Sequence, residues 1–186
     1  MIYIYSNNSP FVEELYHQGL IDKAVNKLPA TYEGLEKLVT PFVEDGLILI
    51  IDDGLSQIEN YLPKVFEEFA SKNNTSVIFV SQSIFVDDKN FIRMSQNSHY
   101  IVCTANRRNT TRIRTLALQI ESCKTDFILK CFRDATKFKP LSNPPPKNVG
   151  YGYFIFEFNL KSPLVLSYRT NIFPDEKEPL TVYVEK

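Results

Sequence analysis

An α/β fold, with a parallel sheet flanked by helices and an antiparallel hairpin near the carboxyl end, is expected here on three grounds. Apolar runs at 46–54 (GLILIIDDG), 76–80 (SVIFV) and 100–104 (YIVCT) are short and rich in Ile and Val. They read as strands buried on both faces, the habit of parallel sheets. Between them, apolar residues recur at helical spacing. Near the end, Phe154, Phe156 and Phe158 alternate, as do Leu164, Leu166 and Tyr168, the period of two antiparallel strands joined by a turn near 161–163.

In chain order, Ile2 to Tyr5 forms the first short strand. Ser9 can cap a helix opened by Pro10, with Phe11, Val12, Leu15 and Tyr16 as its apolar stripe. A second stripe at Leu35, Leu38, Val39 and Phe42 leads into the strand at 46–54. After it, Ile58, Tyr61, Leu62, Val65, Phe66 and Phe69 predict a helix from about 57 to 70 that covers one sheet face. Beyond the strand at 100–104, a helix buries Ile113, Leu116, Ala117 and Ile120. Thr125 is the expected cap of another, whose apolar side is Phe127, Ile128, Cys131 and Phe132. Residues 137–148 hold four of the eleven prolines and read as an extended surface loop. The organisation expected is one domain over 1–174 and a charged, mobile tail over 175–186.

Composition excludes more than it selects. A hydrophobic content of 44% suits an ordinary globular core. A formal charge of -1 gives no bulk attraction to nucleic acid or membrane, so such a partner must be met by a local patch. Cys103, Cys123 and Cys131 are odd in number and lack C-x-x-C spacing, which suits reduced thiols of an intracellular protein in cytoplasm or nucleus. No apolar stretch approaches the roughly 18 residues needed to cross a bilayer.

The chemistry gathers at strand ends. Asp52 and Asp53 close the 46–54 strand, at the sheet edge where the loops of open α/β folds converge on ligands. Paired acids there suit one for holding Mg²⁺ and the other for orienting or deprotonating a water, the Walker B form. An acid in this place also serves simply to cap the next helix. Ser81, Gln82 and Ser83 reach the same edge, to read a phosphate and its attacking water or to satisfy their own loop. Four of the seven arginines, Arg107, Arg108, Arg112 and Arg114, follow the strand at 100–104. They form either a solvated face or a cluster reaching a triphosphate or a nucleic-acid backbone. A receiver-type domain would put its phosphorylatable Asp at the end of a later strand, where this chain has Ser81 and Gln82.

The order IIDD, SVIFVSQSIF, NSHYIVCTANRRNTTRIRTLALQI, FRDATK, GYFIFEF and YRTNIFP resembles the carboxy-terminal two thirds of the genome-packaging ATPases of large DNA viruses (the poxvirus type) and of Maverick/Polinton virus-like transposons. These are a branch of the FtsK–HerA class, and the resemblance covers roughly residues 1–174. It implies a three-layer P-loop-NTPase-like (ASCE/RecA-type) fold, ATP and Mg²⁺ as cofactors, double-stranded DNA as partner, a homo-oligomeric ring, and work at sites of virion assembly. By the same resemblance Asp52 holds Mg²⁺, Asp53 polarises the attacking water and Gln82 is the polar sensor. Arg108 is the arginine finger or sensor of an N-P-R-D turn. Arg107, Arg112 and Arg114 are the candidates for a DNA-facing patch, if the cluster is more than a solvated face. The chain departs from the family in Ser83 for asparagine, Arg107 for proline and Asn109 for aspartate.

The family's phosphate loop, G-x-x-x-x-G-K-[ST], is not in this sequence, since none of its six glycines is followed by lysine. In the family that loop lies upstream of the strand equivalent to Ile2–Tyr5. The chain is therefore expected to lack the Walker A strand and helix, as a truncated enzyme inactive alone or as a degenerate, non-catalytic scaffold that binds DNA or a partner. The Walker A strand lies between the sensor strand and the strand before the arginine turn. Its absence predicts direct parallel pairing of 76–80 with 100–104, in the order Tyr100 strand, Ser76 strand, Leu47 strand, Ile2 strand, drawing Arg108 towards Gln82.

Overall fold

A computed structural model describes residues 1–6, 10–44, 46–53, 60–82, 89–104, 110–136, 152–173 and 179–185. The protein is α/β, with a four-stranded parallel sheet and a separate four-stranded antiparallel sheet. The two sheets fall in two compact units, Met1–Asn97 and Ser98–Lys186.

In the first unit, β1 (Ile2–Tyr5), β2 (Lys23–Asn26), β3 (Leu47–Asp52) and β4 (Thr75–Val80) lie in the order β2-β1-β3-β4. The expected neighbours β1, β3 and β4 are found. Sequence reasoning missed β2. Its four residues, KAVN, are half-buried or exposed and carry polar ends, the habit of a short edge strand.

Helix α1 (Pro10–His17) joins β1 to β2, and α2 (Tyr32–Val39) joins β2 to β3. The Thr31 hydroxyl caps α2 by accepting from the Gly34 amide at 3.1 Å. Helix α3 (residues 62–72) carries a π turn at Val65–Phe69 and leads to β4; residues 57–59 of the expected helix lie outside the described residues, as does the expected cap Ser9. Helix α4 is Lys89–Gln96. The steps from β1 to β2 and from β2 to β3 run in opposite directions, so right-handed crossovers put α1 and α2 on opposite faces.

One face of this sheet is well covered. Ile2, Ile4, Leu47, Leu49 and Ile51 form a single core with Leu35, Val39, Leu62, Val65, Phe69 and Met94. On the other face Ile48 is 41% exposed, Ile78 48% and Val80 44%. The expectation of strands buried on both faces is corrected for β3 and β4, because no described helix covers these three side chains.

The second unit orders β5 (Tyr100–Thr104), β6 (Tyr153–Glu157), β7 (Tyr168–Thr170) and β8 (Thr181–Val182) as β5-β6-β7-β8, all antiparallel. Helices α5 (Thr110–Ile120) and α6 (Thr125–Ala135) pack on each other. The Phe132 and Phe127 rings of α6 meet Phe154 and Tyr168 edge-on. The predicted apolar positions Ile113, Leu116, Ala117, Ile128, Cys131 and Phe132 are buried.

Four expectations change here. Parallel pairing of β4 with β5 is not what forms: β5 belongs to the other sheet and pairs along its whole length with β6, from Tyr100–Glu157 to Thr104–Tyr153. The expectation counted β5 among the strands left with unpaired backbone groups, but β6 supplies that ladder, so β5 has no need of β4. Residues Leu164–Leu166 form a 3-10 turn held by Leu166 N–H to Pro163 C=O at 2.9 Å, and the strand begins only at Tyr168. Thr125 does not cap α6; it is the first helical residue and its hydroxyl donates to the Ser122 carbonyl at 2.9 Å. Part of the stretch expected as a mobile tail is β8, where the Tyr183 ring packs 5.8 Å from Phe154 and its hydroxyl donates to Asp134 at 3.1 Å. The proline-rich 137–148 lies outside the described residues.

Candidate functional site

The carboxyl ends of β1, β3 and β4 meet in register, with Tyr5 beside Asp52 and Asp52 beside Val80. The two acids, adjacent in sequence, are drawn to opposite neighbours. Asp52 is the last residue of β3 and lies on the same face as Tyr3, whose hydroxyl donates to Asp52 Oδ2 at 2.9 Å. Burial, and after it the bond and charge of Asp52, push the Tyr3 phenol up to about 12. It therefore stays protonated, a donor, at neutral pH.

Asp53 leaves the strand in the left-handed region, φ +49°, which Asp tolerates better than most residues. Its N–H extends the ladder to the Val80 carbonyl at 3.2 Å. The Ser6 hydroxyl donates to its carbonyl. The turn sends the Asp53 carboxylate towards the end of β4, where Gln82 Nε2 donates to Oδ2 at 2.9 Å. The sequence placed Asp52, Asp53 and Gln82 on one edge, and the structure brings them there. Tyr3 and Ser6 were missed. The one signal for Tyr3 was the strand period, which sets it on the face opposite Ile2 and Ile4.

Carboxylate oxygen is the ligand type that hard cations take. Asp52 offers carboxylate oxygen, and among the described residues no group of three or more His, Cys, Asp or Glu could hold a metal by itself. A cation here would draw its remaining ligands from water and phosphate, which is how Mg²⁺ is usually held.

Of the arginines, Arg107 and Arg108 lie outside the described residues, as does Ser83. Arg112 and Arg114 are each exposed on α5, flanking the buried Ile113. Two positions apart on a helix they are rotated by about 200° and do not face each other. Arg114 lies 3.9 Å from Asp126, with both side chains well exposed. The structure therefore does not gather these two into a single patch.

Burial pushes the Cys103 thiol up to about 12 and the Cys131 thiol to about 11, which leaves them inert at neutral pH; Cys123 is exposed. No described helix is long and apolar enough to cross a membrane. Comparison with protein-family models, with curated proteins and with solved structures finds no match for this chain.

Proposed function

We propose that this chain is the carboxy-terminal portion of a DNA-translocating, genome-packaging ATPase of the FtsK–HerA class, without turnover of its own. The observation that carries the reading is the Gln82–Asp53 hydrogen bond at the carboxyl edge of a parallel sheet. It joins the two residues that the resemblance gives to sensing and to water activation. In that reading Asp52 would hold Mg²⁺, and Asp53 would orient the water that attacks the terminal phosphate of ATP. Support also comes from β4. It ends its sheet among the described residues, with Ile48, Ile78 and Val80 exposed on one face, which suits a further strand and helix of the P-loop kind. Arg108 would act across a subunit boundary of a ring, and Arg107, Arg112 and Arg114 on double-stranded DNA, inside the cell where virions assemble.

Two measurements test this. The purified chain should hydrolyse ATP at no more than background, since Asp53 can activate a water only beside a nucleotide held in place; Mg²⁺-dependent turnover lost in Asp53→Asn would refute that. A chimera with an upstream G-x-x-x-x-G-K-[ST] strand and helix should gain hydrolysis that Asp53→Asn abolishes. A folded chimera that stays at background favours the alternative, a non-catalytic scaffold that binds DNA or a partner.

The strand order favours one further reading. With β2 counted, the Asp-bearing strand is the third of a 2-1-3-4 sheet, the flavodoxin-like and receiver-type order, whose ligands sit between β1 and β3. Asp52 or Asp53 would then accept a phosphoryl group. Covalent labelling by acetyl phosphate, lost in Asp52→Asn or Asp53→Asn, would establish it; no labelling excludes it.

A further inference from the structure

We propose that Tyr3 is a positioning residue for the Asp52 carboxylate, its hydroxyl fixing Oδ2 so that Oδ1 alone is presented to a divalent cation. This rests on the reading of Asp52 as the acid that holds Mg²⁺.

The β1–β3 register sets Tyr3 beside Ile50 and Tyr5 beside Asp52. Tyr3 is therefore two residues short of Asp52 on the same face, about 6.6 Å along the strand at 3.3 Å per residue. A phenol has the length to cover that offset, and the 2.9 Å bond shows that it does. Tyr5 stands directly opposite Asp52, and its ring centroid lies 6.4 Å from that of Tyr3.

Packing does not ask for the oxygen. A phenylalanine would fill the same half-buried place, so the hydroxyl is the one part of Tyr3 whose partner is the acid. The consequence for a cation follows from its geometry. Mg²⁺ takes near-ideal octahedral oxygen ligands and is met by carboxylates with several waters kept. A carboxylate with one oxygen tied to a phenol enters that shell through the other. Outer partners of this kind orient metal ligands, and their loss typically weakens metal binding by about 10–100-fold.

The test uses the full chain and Mn²⁺ alone, read by electron paramagnetic resonance, in wild type, Tyr3→Phe, Asp52→Asn and the double variant. The expected result is a Mn²⁺ dissociation constant raised on the order of tenfold in Tyr3→Phe, with little change in Tm. Tyr3→Phe should add nothing further in the Asp52→Asn background. A purely structural tyrosine would lower Tm and leave Mn²⁺ binding alone. Binding in Tyr3→Phe within about twofold of wild type, while Asp52→Asn loses it, overturns the role of Tyr3 and leaves that of Asp52 standing. A wild-type chain that binds no Mn²⁺, or an Asp52→Asn chain that binds it equally well, overturns both.

Discussion

Glu157 is the carboxylate whose removal should be felt most in the second unit. Its side chain is 3% exposed and forms an ion pair with Arg169, itself 15% exposed. The other oxygen accepts from Tyr100 at 3.1 Å and from Ser162. One acid thus ties β5, β6, β7 and the connection between the last two. In Glu157→Ala the Arg169 guanidinium keeps the Leu166 carbonyl at 3.1 Å and loses its countercharge. Breaking a buried pair from one side costs about 3–5 kcal/mol. Arg169 retains some water and one acceptor, so the lower end, about 3 kcal/mol, is expected. That is a large share of the roughly 5–15 kcal/mol that holds a domain together. The chain has ten tyrosines and no tryptophan, so urea unfolding can be followed by tyrosine fluorescence. A loss within about 0.5 kcal/mol, the range of an ordinary surface substitution, would refute the reasoning. Acid provides a second check. Burial alone would raise the Glu157 carboxyl, but the bonds from Ser162 and Tyr100 and the charge of Arg169 outweigh it and hold the group below its usual 4.5. A carboxyl lowered by folding contributes stability that is full above its unfolded value and is lost as pH falls through the folded one. The gap between wild type and Glu157→Ala should therefore be constant near neutrality and close below pH 4.5.

Two further outcomes are expected. A Cβ at Gly152 would come within 2.6 Å of the Ala135 carbonyl oxygen and 3.0 Å of Thr136 Cα. Backbone cannot yield as a side chain does, so Gly152→Ala should cost about 1–3 kcal/mol in the same unfolding assay; unchanged stability would show that the end of α6 gives way. If the chain binds DNA, replacing Arg112 and Arg114 together with Ala should flatten the log–log salt dependence by about 0.9, one phosphate, and not by two such steps. The reason is that the two diverge on α5 and Arg114 lies near Asp126. Fluorescence anisotropy across a salt series checks it, and a full two-phosphate change would mean that both reach the backbone at once.

What was legible in the sequence was what local periodicity and strand composition carry. Leu47–Asp52 is an apolar run that ends in acids, and such a run in a parallel sheet has one edge for its loops. Asp52, Asp53 and Gln82 could therefore be placed together from the order of the chain. The helical stripes of α2, α3, α5 and α6 are likewise written in a 3.6-residue period that any window of the sequence displays. Strand β2 escaped because KAVN, half-buried at an edge, has neither an apolar run nor an alternation. The partner of β5 escaped for a different reason. YIVCT would suit either a parallel or an antiparallel neighbour, and its choice of β6 depends on a ladder closed across some fifty intervening residues, from Tyr100–Glu157 to Thr104–Tyr153. The partners of the two acids are of the same kind. Tyr3 and Gln82 reach Asp52 and Asp53 only because three strands come into register, and register is a property of paired backbones that no single segment carries.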